Sequence, residues 1–336
     1  MKLDDLIRNP RWLPHRLDWA RGRVIFVRTD EATLRSMSFI DGREPITQEP
    51  PVEIALSDVV AAIGEPTEPL RMIFHVSFCG STLLARLLDQ PGRALALKEP
   101  QCLVDLSDWR AELARRGGDV GPCDRALDAM LALLNRRFSP DEPVVIKPSN
   151  WANNLILPIV RRGNQSRSVL VTIERRRFLI ALLRGGRDRL AFNARAVDHL
   201  ASGEEAAGKL VADALAHDRD PLAAMLRLGA LSHDLQHRIF ETAFRDSDRP
   251  LVIDLAQIEA GPREATSRAA SAFGMSAPRG LDGKTTQDAK NPGRAFQRAQ
   301  RVRGDAEIEE AHGSRIDAAL AWLDERSGPR FARLSA

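Results

Sequence analysis

The hydrophobic positions of this chain fall into two alternating patterns. Short, nearly unbroken apolar runs at Leu70–Val76, Ala94–Leu97, Val144–Ile146, Ser168–Ile173 and Leu251–Leu255 predict strands buried on both faces. Between them, apolar residues recur at helical spacing over Ser81–Asp89, Arg125–Phe138, Trp151–Arg161 and Pro262–Phe273. Alternation of this kind predicts an α/β fold, with a mostly parallel sheet covered by helices in three layers. Ahead of it, residues 1–65 form a small N-terminal appendage with a strand at Val24–Arg28 and a turn at Asp41-Gly42. Gly64-Glu65-Pro66-Thr67-Glu68-Pro69 breaks both periodicities and marks the boundary before a main domain over 66–300. Within that domain, 188–245 is helical and alanine-rich and reads as an insertion. A helix at Ala306–Asp324 within 301–336 closes the chain and is expected to pack on the main domain.

The first strand of the main domain runs directly into Ser77-Phe78-Cys79-Gly80-Ser81-Thr82 and then into a helix, which outlines a phosphate loop. In such a loop the unpaired amides of the first helical turn and the positive end of the helix dipole converge on one point, and an anion there is stabilised. The loop is not a Walker A sequence: on G-x-x-x-x-G-K-[ST], with Gly80 as the second glycine, His75 replaces the first glycine and Ser81 the lysine. Nor is it a Cys-x5-Arg anion loop beginning at Cys79, because position 85 is alanine. Ligands of parallel sheets lie at the carboxyl ends of the strands, which puts His75, Glu99, Lys147 and Glu174 on one rim with the glycine loop.

What remains is a loop with a G-S-T-L-L core, and its companions strengthen the pattern. Leu97-Lys98-Glu99-Pro100 follows one strand; Val144-Val145-Ile146-Lys147-Pro148-Ser149-Asn150 ends another; Leu251-Val252-Ile253-Asp254-Leu255 precedes a helix ending at Phe273-Gly274. In order and spacing, from Leu70 to Met275, the chain resembles a divergent bacterial branch of the P-loop sulfotransferases that use 3'-phosphoadenosine-5'-phosphosulfate (PAPS). The resemblance implies that Phe78, Cys79, Gly80, Ser81 and Thr82 hold the phosphosulfate, that Glu99 is the base, and that Lys147 or Lys98 stabilises the departing oxygen. Arg175 and Arg177, in the local cluster Arg175–Arg177, are candidates to bind the polyanionic cofactor, and the resemblance makes Lys290, with Lys284 and Arg294, part of a basic loop over Met275–Arg294 that folds across the nucleotide. The acceptor is then a hydroxyl of a small molecule, glycan or peptide, selected by the helical insertion, and no metal is required. Two departures stand out. Phe78 occupies a position where many of these enzymes carry lysine or arginine, and Glu174–Leu183 lacks the serine of their R-D-P-R-x-x-x-x-S stretch. Two other readings stay open: a nucleotide-dependent phosphotransferase, with Thr82 at the magnesium position, and a non-catalytic nucleotide- or anion-binding protein.

Composition narrows the field further. The net charge is +3, from 49 basic and 46 acidic residues, and tyrosine is absent, so neither a basic stripe nor a set of base-stacking aromatics points to nucleic acid. The chain has six lysines, and Lys98 and Lys147 both fall in the short motifs, where a compact ammonium suits contact with a single oxyanion. Three cysteines without regular spacing predict neither a disulfide framework nor a zinc site. The amino terminus lacks the apolar stretch of a secretory signal and no run is long enough for a membrane helix; a cytoplasmic protein is expected. His233 and His237 stand one helical turn apart without a third ligand and read as two surface histidines on one face. Cys79 reads as a small residue tolerated by the loop or a reactive thiol, and His75 as a core histidine or a base.

Overall fold

A computed structural model describes residues 3–63, 66, 68–162, 166–247, 249–277, 279–280 and 297–327. The chain opens with α1 (Leu3–Arg8), β1 (Trp12–Asp18), β2 (Arg23–Arg28), α2 (Glu31–Ser36), β3 (Val52–Ala55) and α3 (Leu56–Ala62). The main sheet and its first helices follow: β4 (Leu70–His75), α4 (Ser81–Leu88), β5 (Leu95–Lys98), α5 (Gln101–Arg115), α6 (Gly121–Leu134) and β6 (Val144–Lys147). A 3-10 turn over Asn150–Leu155 leads into α7 (Ile156–Val160) and β7 (Ser166–Thr172). Then come α8 (Arg175–Arg184), α9 (Gly186–Leu200), α10 (Glu205–Ala216) and α11 (Pro221–Ala243), followed by β8 (Leu251–Asp254), α12 (Leu255–Ala260), α13 (Pro262–Ala272) and α14 (Arg298–Ser327).

The fold is α/β, with helices flanking a five-stranded sheet in the order β5-β6-β4-β7-β8, each neighbouring pair parallel. Its central strand β4 is buried at every position, Arg71 and His75 included, as its nearly unbroken apolar run requires. The chain leaves β4 toward β5 and leaves β6 toward β7, in opposite directions across the sheet. Right-handed crossovers, the rule for such units, send those two connections to opposite faces, and the place between the carboxyl ends of β4 and β6, called the crevice below, is where sheets of this kind bind ligands. The loop after β4 and the turn at Pro148 form its two lips.

β1, β2 and β3 form a separate antiparallel sheet, with a bulge at Pro14/Arg16 in its first strand. It is wired to the main sheet at the tip of β5: the Ile40 amide donates to the Lys98 carbonyl (2.7 Å) and the Gln101 amide to the Ile40 carbonyl (3.0 Å). On the other side, α14 lies along α8 and α11 and is tied down by Arg175–Asp324, Arg176–Glu309, Arg184–Asp305 and Arg326–Asp213. No helix among the described residues is long and apolar enough to cross a membrane.

Candidate functional site

Between β4 and α4 the backbone turns left-handed twice, at Phe78 (φ 65°) and Gly80 (φ 83°). Alternating hands in a short loop turn successive amides toward one side, the arrangement that makes an anion-binding concavity. Gly80 is the N-cap of α4 and offers no side-chain cap to the first-turn amides. Glycine is required there for two reasons: the positive φ, and a neighbour, since a Cβ would lie 2.9 Å from Leu255 Cδ1 of α12. Ser81 and Thr82 are both buried, at 5% and 7% exposure. Cys79 is buried beneath the loop, its thiol donating to the Val76 carbonyl at 2.8 Å, and burial pushes its pKa up to about 11. A buried thiol held protonated is inert, so the reactive-thiol reading falls.

Across the crevice, Lys98 and Lys147 end adjacent strands as register partners. The Glu99 amide continues that ladder by one step, donating to the Lys147 carbonyl at 2.7 Å. Glu99 itself is left-handed (φ 59°), and its carboxylate accepts from Lys147 Nζ at 2.7 Å. The Lys147 side chain is fully buried, and that of Glu99 is 17% exposed. Lys147 also acts electrostatically on the Cys79 thiol, which brings its ammonium to the underside of the β4–α4 loop. His75 closes the floor of the crevice: its Nε2 lies 3.0 Å from the Pro148 carbonyl, and its own carbonyl accepts from Asn153 Nδ2 at 3.1 Å. The sequence expectation of a core histidine beneath the loop describes this position.

Lys98 goes elsewhere. Its Nζ donates to the Leu34 and Arg35 carbonyls (3.2 Å each) at the carboxyl end of α2 and pairs with Asp89 at 3.1 Å. There it caps a helix terminus, where the dipole favours a cation, and burial lowers its pKa. Asp89 is shared with Arg35, which also holds Glu31 and Glu142, so Lys98 belongs to the joint with the appendage rather than to the crevice. Arg175 is likewise diverted, pairing with Asp324 of α14 at 2.8 Å. Arg177 pairs with Glu259 of α12 at 2.8 Å and stays near the loop, because α12 is the helix packed on Gly80. Lys290, with Lys284 and Arg294, lies outside the described residues. The described start of that loop runs along the opposite end of the sheet: the Phe273 carbonyl accepts from Arg71 Nε at the start of β4, and Gln90 and Arg279 exchange bonds of 2.8 and 3.0 Å.

His233 is buried and His237 half-buried, so the expectation of two surface histidines does not hold. Their rings lie 4.4 Å apart, tilted by 35°, against the end of β7, with His233 Nε2 2.8 Å from the Ile173 carbonyl and His237 Nε2 3.0 Å from Thr172 Oγ1. Burial holds both pKa values down, that of His233 to about 4. No cluster of metal-ligating side chains occurs among the described residues.

One cation that the sequence reading missed sits on the loop itself. The Arg189 guanidinium lies over the Phe78 ring, 5.0 Å from its centroid, while Phe178 packs on Phe78 at 5.4 Å. Burial, then Arg184 and Arg301, depress the Arg189 pKa; burial and Arg184 likewise depress that of Arg301. Arg177, Arg184, Arg189 and Arg301 therefore converge beside the loop, with Glu259 and Asp305 as their carboxylate partners. The sequence carried one hint of this: Gly185-Gly186 separates α8 from α9, and a Cβ at Gly185 would lie 1.6 Å from Arg189 Cδ. The glycine makes room for the arginine's fold-back onto Phe78.

No family model and no curated protein matches this chain. Among solved structures it is similar to a sulfotransferase from Alicyclobacillus acidocaldarius, at 13% identity and a TM-score of 0.37, over 76% of this chain and 96% of that one. A likeness of that depth does not bear on chemistry.

Proposed function

We propose that this protein transfers a sulfuryl group from PAPS to an acceptor hydroxyl. The observation that carries the reading is the Lys147–Glu99 pair held across the crevice from an uncapped, doubly left-handed loop. The loop amides, with Ser81 and Thr82, are suited to the 5'-phosphosulfate, and the arginines around Phe78 to the second phosphate of the donor. Arg189 over Phe78 supplies a cation at the position where the resembled family places a lysine or arginine.

In this reading the acceptor hydroxyl gives its proton to the Glu99 carboxylate as its oxygen bonds to sulfur. The bond from sulfur to the bridging oxygen breaks, and the electron pair leaves with the 5'-phosphate of adenosine 3',5'-bisphosphate. Lys147 and the loop amides face the charge that builds on that oxygen. Before turnover Lys147 also holds the Glu99 carboxylate in place.

Calorimetric titration with adenosine 3',5'-bisphosphate, against ATP with magnesium, tests the reading. Binding of the bisphosphate alone supports it. Binding of ATP only in the presence of magnesium replaces it with a phosphotransferase in which the Thr82 hydroxyl serves the metal, and binding of neither removes the nucleotide altogether. Bisphosphate binding without sulfuryl transfer to any hydroxyl acceptor leaves a nucleotide-binding protein.

A further inference from the structure

Beyond the crevice, α5, the 3-10 turn, α9 and the β1–β2 hairpin line an open cavity of about 660 Å³. Its walls include aromatic and charged side chains: Trp19 and Trp151, the carboxylates Asp108, Glu112 and Asp198, and His199. The aromatic surfaces are locked before any ligand arrives. Trp151 stacks on His199 (4.4 Å, 19°) and donates its indole N–H to Asp108 at 2.7 Å. Trp19 stacks parallel on Trp109 at 6.3 Å and remains 36% exposed.

His199 is fixed in turn by Ser107 Oγ, 2.7 Å from its Nε2, and its Nδ1 lies 3.7 Å from Asp108. Asp108, His199 and Ser107 thus include the members of a hydrolase triad, but Ser107 is fully buried and its hydroxyl also faces the Trp151 carbonyl and Asn154. The hydroxyl has no route to a substrate, so the trio is a brace for Trp151. Burial holds the His199 pKa down to about 4, leaving a neutral ring in the wall.

The wall carries three carboxylates against the guanidiniums of Arg115 and Arg195, with Arg116 just outside it, so its charges nearly cancel. Glu112 pairs with Arg115 (3.4 Å) and Arg116 (2.5 Å), and Arg115 also reaches Asp198 at 3.9 Å. A wall of paired charges exerts little net attraction on an ion, yet it presents fixed acceptors and donors beside flat apolar faces. That combination fits a neutral polyhydroxylated ring: indole against its C–H face, carboxylates and guanidinium on its hydroxyls. The cavity is also placed to serve the crevice. Asp108 stands about 10 Å along α5 from Gln101, at about 1.5 Å per residue, and Gln101 follows Glu99 and Pro100 directly. Trp151 opens the turn that follows Lys147-Pro148.

We infer that this cavity holds a neutral sugar of the acceptor and so makes the acceptor a carbohydrate whose next unit reaches toward Glu99. The inference rests on the transferase reading for its role, though not for the binding it predicts. Saturation-transfer NMR on the full chain, with cellobiose, maltose and lactose as neutral probes and spermidine as a cationic one, tests it. The expected result is transfer to at least one disaccharide, unchanged between low and high salt, with apparent affinity falling about tenfold or more in Trp19→Ala and retained in Trp19→Phe. Trp19 is exposed enough for the alanine variant to fold, and its circular dichroism is the check. Transfer to spermidine alone, lost at high salt, overturns the inference in favour of an amine site; transfer to no probe, or to a disaccharide equally in Trp19→Ala, also overturns it. Disaccharide binding without adenosine 3',5'-bisphosphate binding keeps the sugar site and removes the donor, so the two readings fail separately.

Discussion

Lys98 and Lys147 occupy the same place in adjacent strands and are register partners, yet the structure gives them different work. Replacing each by methionine separates the two. Lys147→Met removes a fully buried ammonium and strands the Glu99 carboxylate. Breaking a buried pair costs about 3–5 kcal/mol when the survivor stays buried; Glu99 is partly exposed and rehydrates, so the loss of stability should be about 2 kcal/mol. Lys98→Met strands Asp89, whose side chain is 6% exposed, and removes the donor to two α2 carbonyls. Arg35 still holds Asp89, which puts the expected loss near the low end of that range, about 3 kcal/mol.

Affinity for adenosine 3',5'-bisphosphate should divide the pair in the opposite sense. A charge-assisted contact is worth about 2 kcal/mol, so Lys147→Met should bind roughly 30-fold more weakly, while folded Lys98→Met binds as the parent does. Glu99→Gln added to Lys147→Met should restore stability without restoring affinity, since it neutralises the stranded carboxylate and returns no cation. Urea unfolding gives the first quantity and calorimetry the second. Equal loss of affinity in the two lysine variants, with both folded, would refute the division of roles; so would parental affinity in Lys147→Met.

Three further outcomes follow from the same geometry. Gly80→Ala should lose about 1–2 kcal/mol from its left-handed backbone, more from the contact with Leu255, and most of its nucleotide affinity; parental stability in urea would show the loop to be differently shaped. Arg189→Gln should weaken bisphosphate binding about tenfold with little net change in stability, because losing the contacts with Phe78 and the Ala181 carbonyl is offset by removing a charge that burial, Arg184 and Arg301 disfavour; a calorimetric affinity equal to the parent's would remove Arg189 from the site. The buried histidines should make the fold acid-sensitive. His199 and His233 have folded pKa values of about 4 against 6.5 for the free side chain, so below pH 6.5 the unfolded chain takes protons that the native one refuses. Stability from each is complete above that value and falls until pH 4, by about 2 kcal/mol per histidine at pH 5; His233→Gln should flatten the melting temperature between pH 7 and 5, and an unaltered slope would contradict it.

How much of this was legible before the structure depends on whether one segment carried its own signal. β4 and its loop did, because a doubly buried strand followed by glycine and an amphipathic helix is specified by consecutive residues. β1 did not: Pro14 argues against a strand, and the chain accommodates it with a bulge in the first strand of the small sheet. α14 begins earlier than its apolar positions suggest, because its attachment relies on arginine–carboxylate pairs that leave little hydrophobic period to read. The expectation for His233 and His237 failed for the converse reason. Their spacing was correct, but burial against Thr172 and Ile173 comes from a strand far away in sequence. Lys98 and Lys147 were indistinguishable as motifs, and only the carbonyls of α2, folded over one of them, tell them apart.

The two non-glycine residues with left-handed backbones among the described residues, Phe78 and Glu99, both stand at this crevice. Each conformation costs about 1–2 kcal/mol, so something specific must offset it. For Phe78 the offset is a ring packed between Phe178 and the Arg189 guanidinium; for Glu99 it is the ladder bond to Lys147 together with the ion pair. The Phe78 ring also packs on the edge of the hydrophobic core through Phe178, whereas the Glu99 contacts are polar, and a glycine at either position would relax the backbone without interrupting a strand or helix. Strain kept where glycine would relieve it marks a side chain whose position matters more than its cost. For Glu99 that position is beside Lys147; for Phe78 it is beneath a cation that the loop sequence does not itself supply. In the proposed reaction the two strained residues would then serve opposite signs of charge, Glu99 with its own carboxylate and Phe78 by carrying the Arg189 guanidinium, one for proton removal and the other for the bound oxyanion.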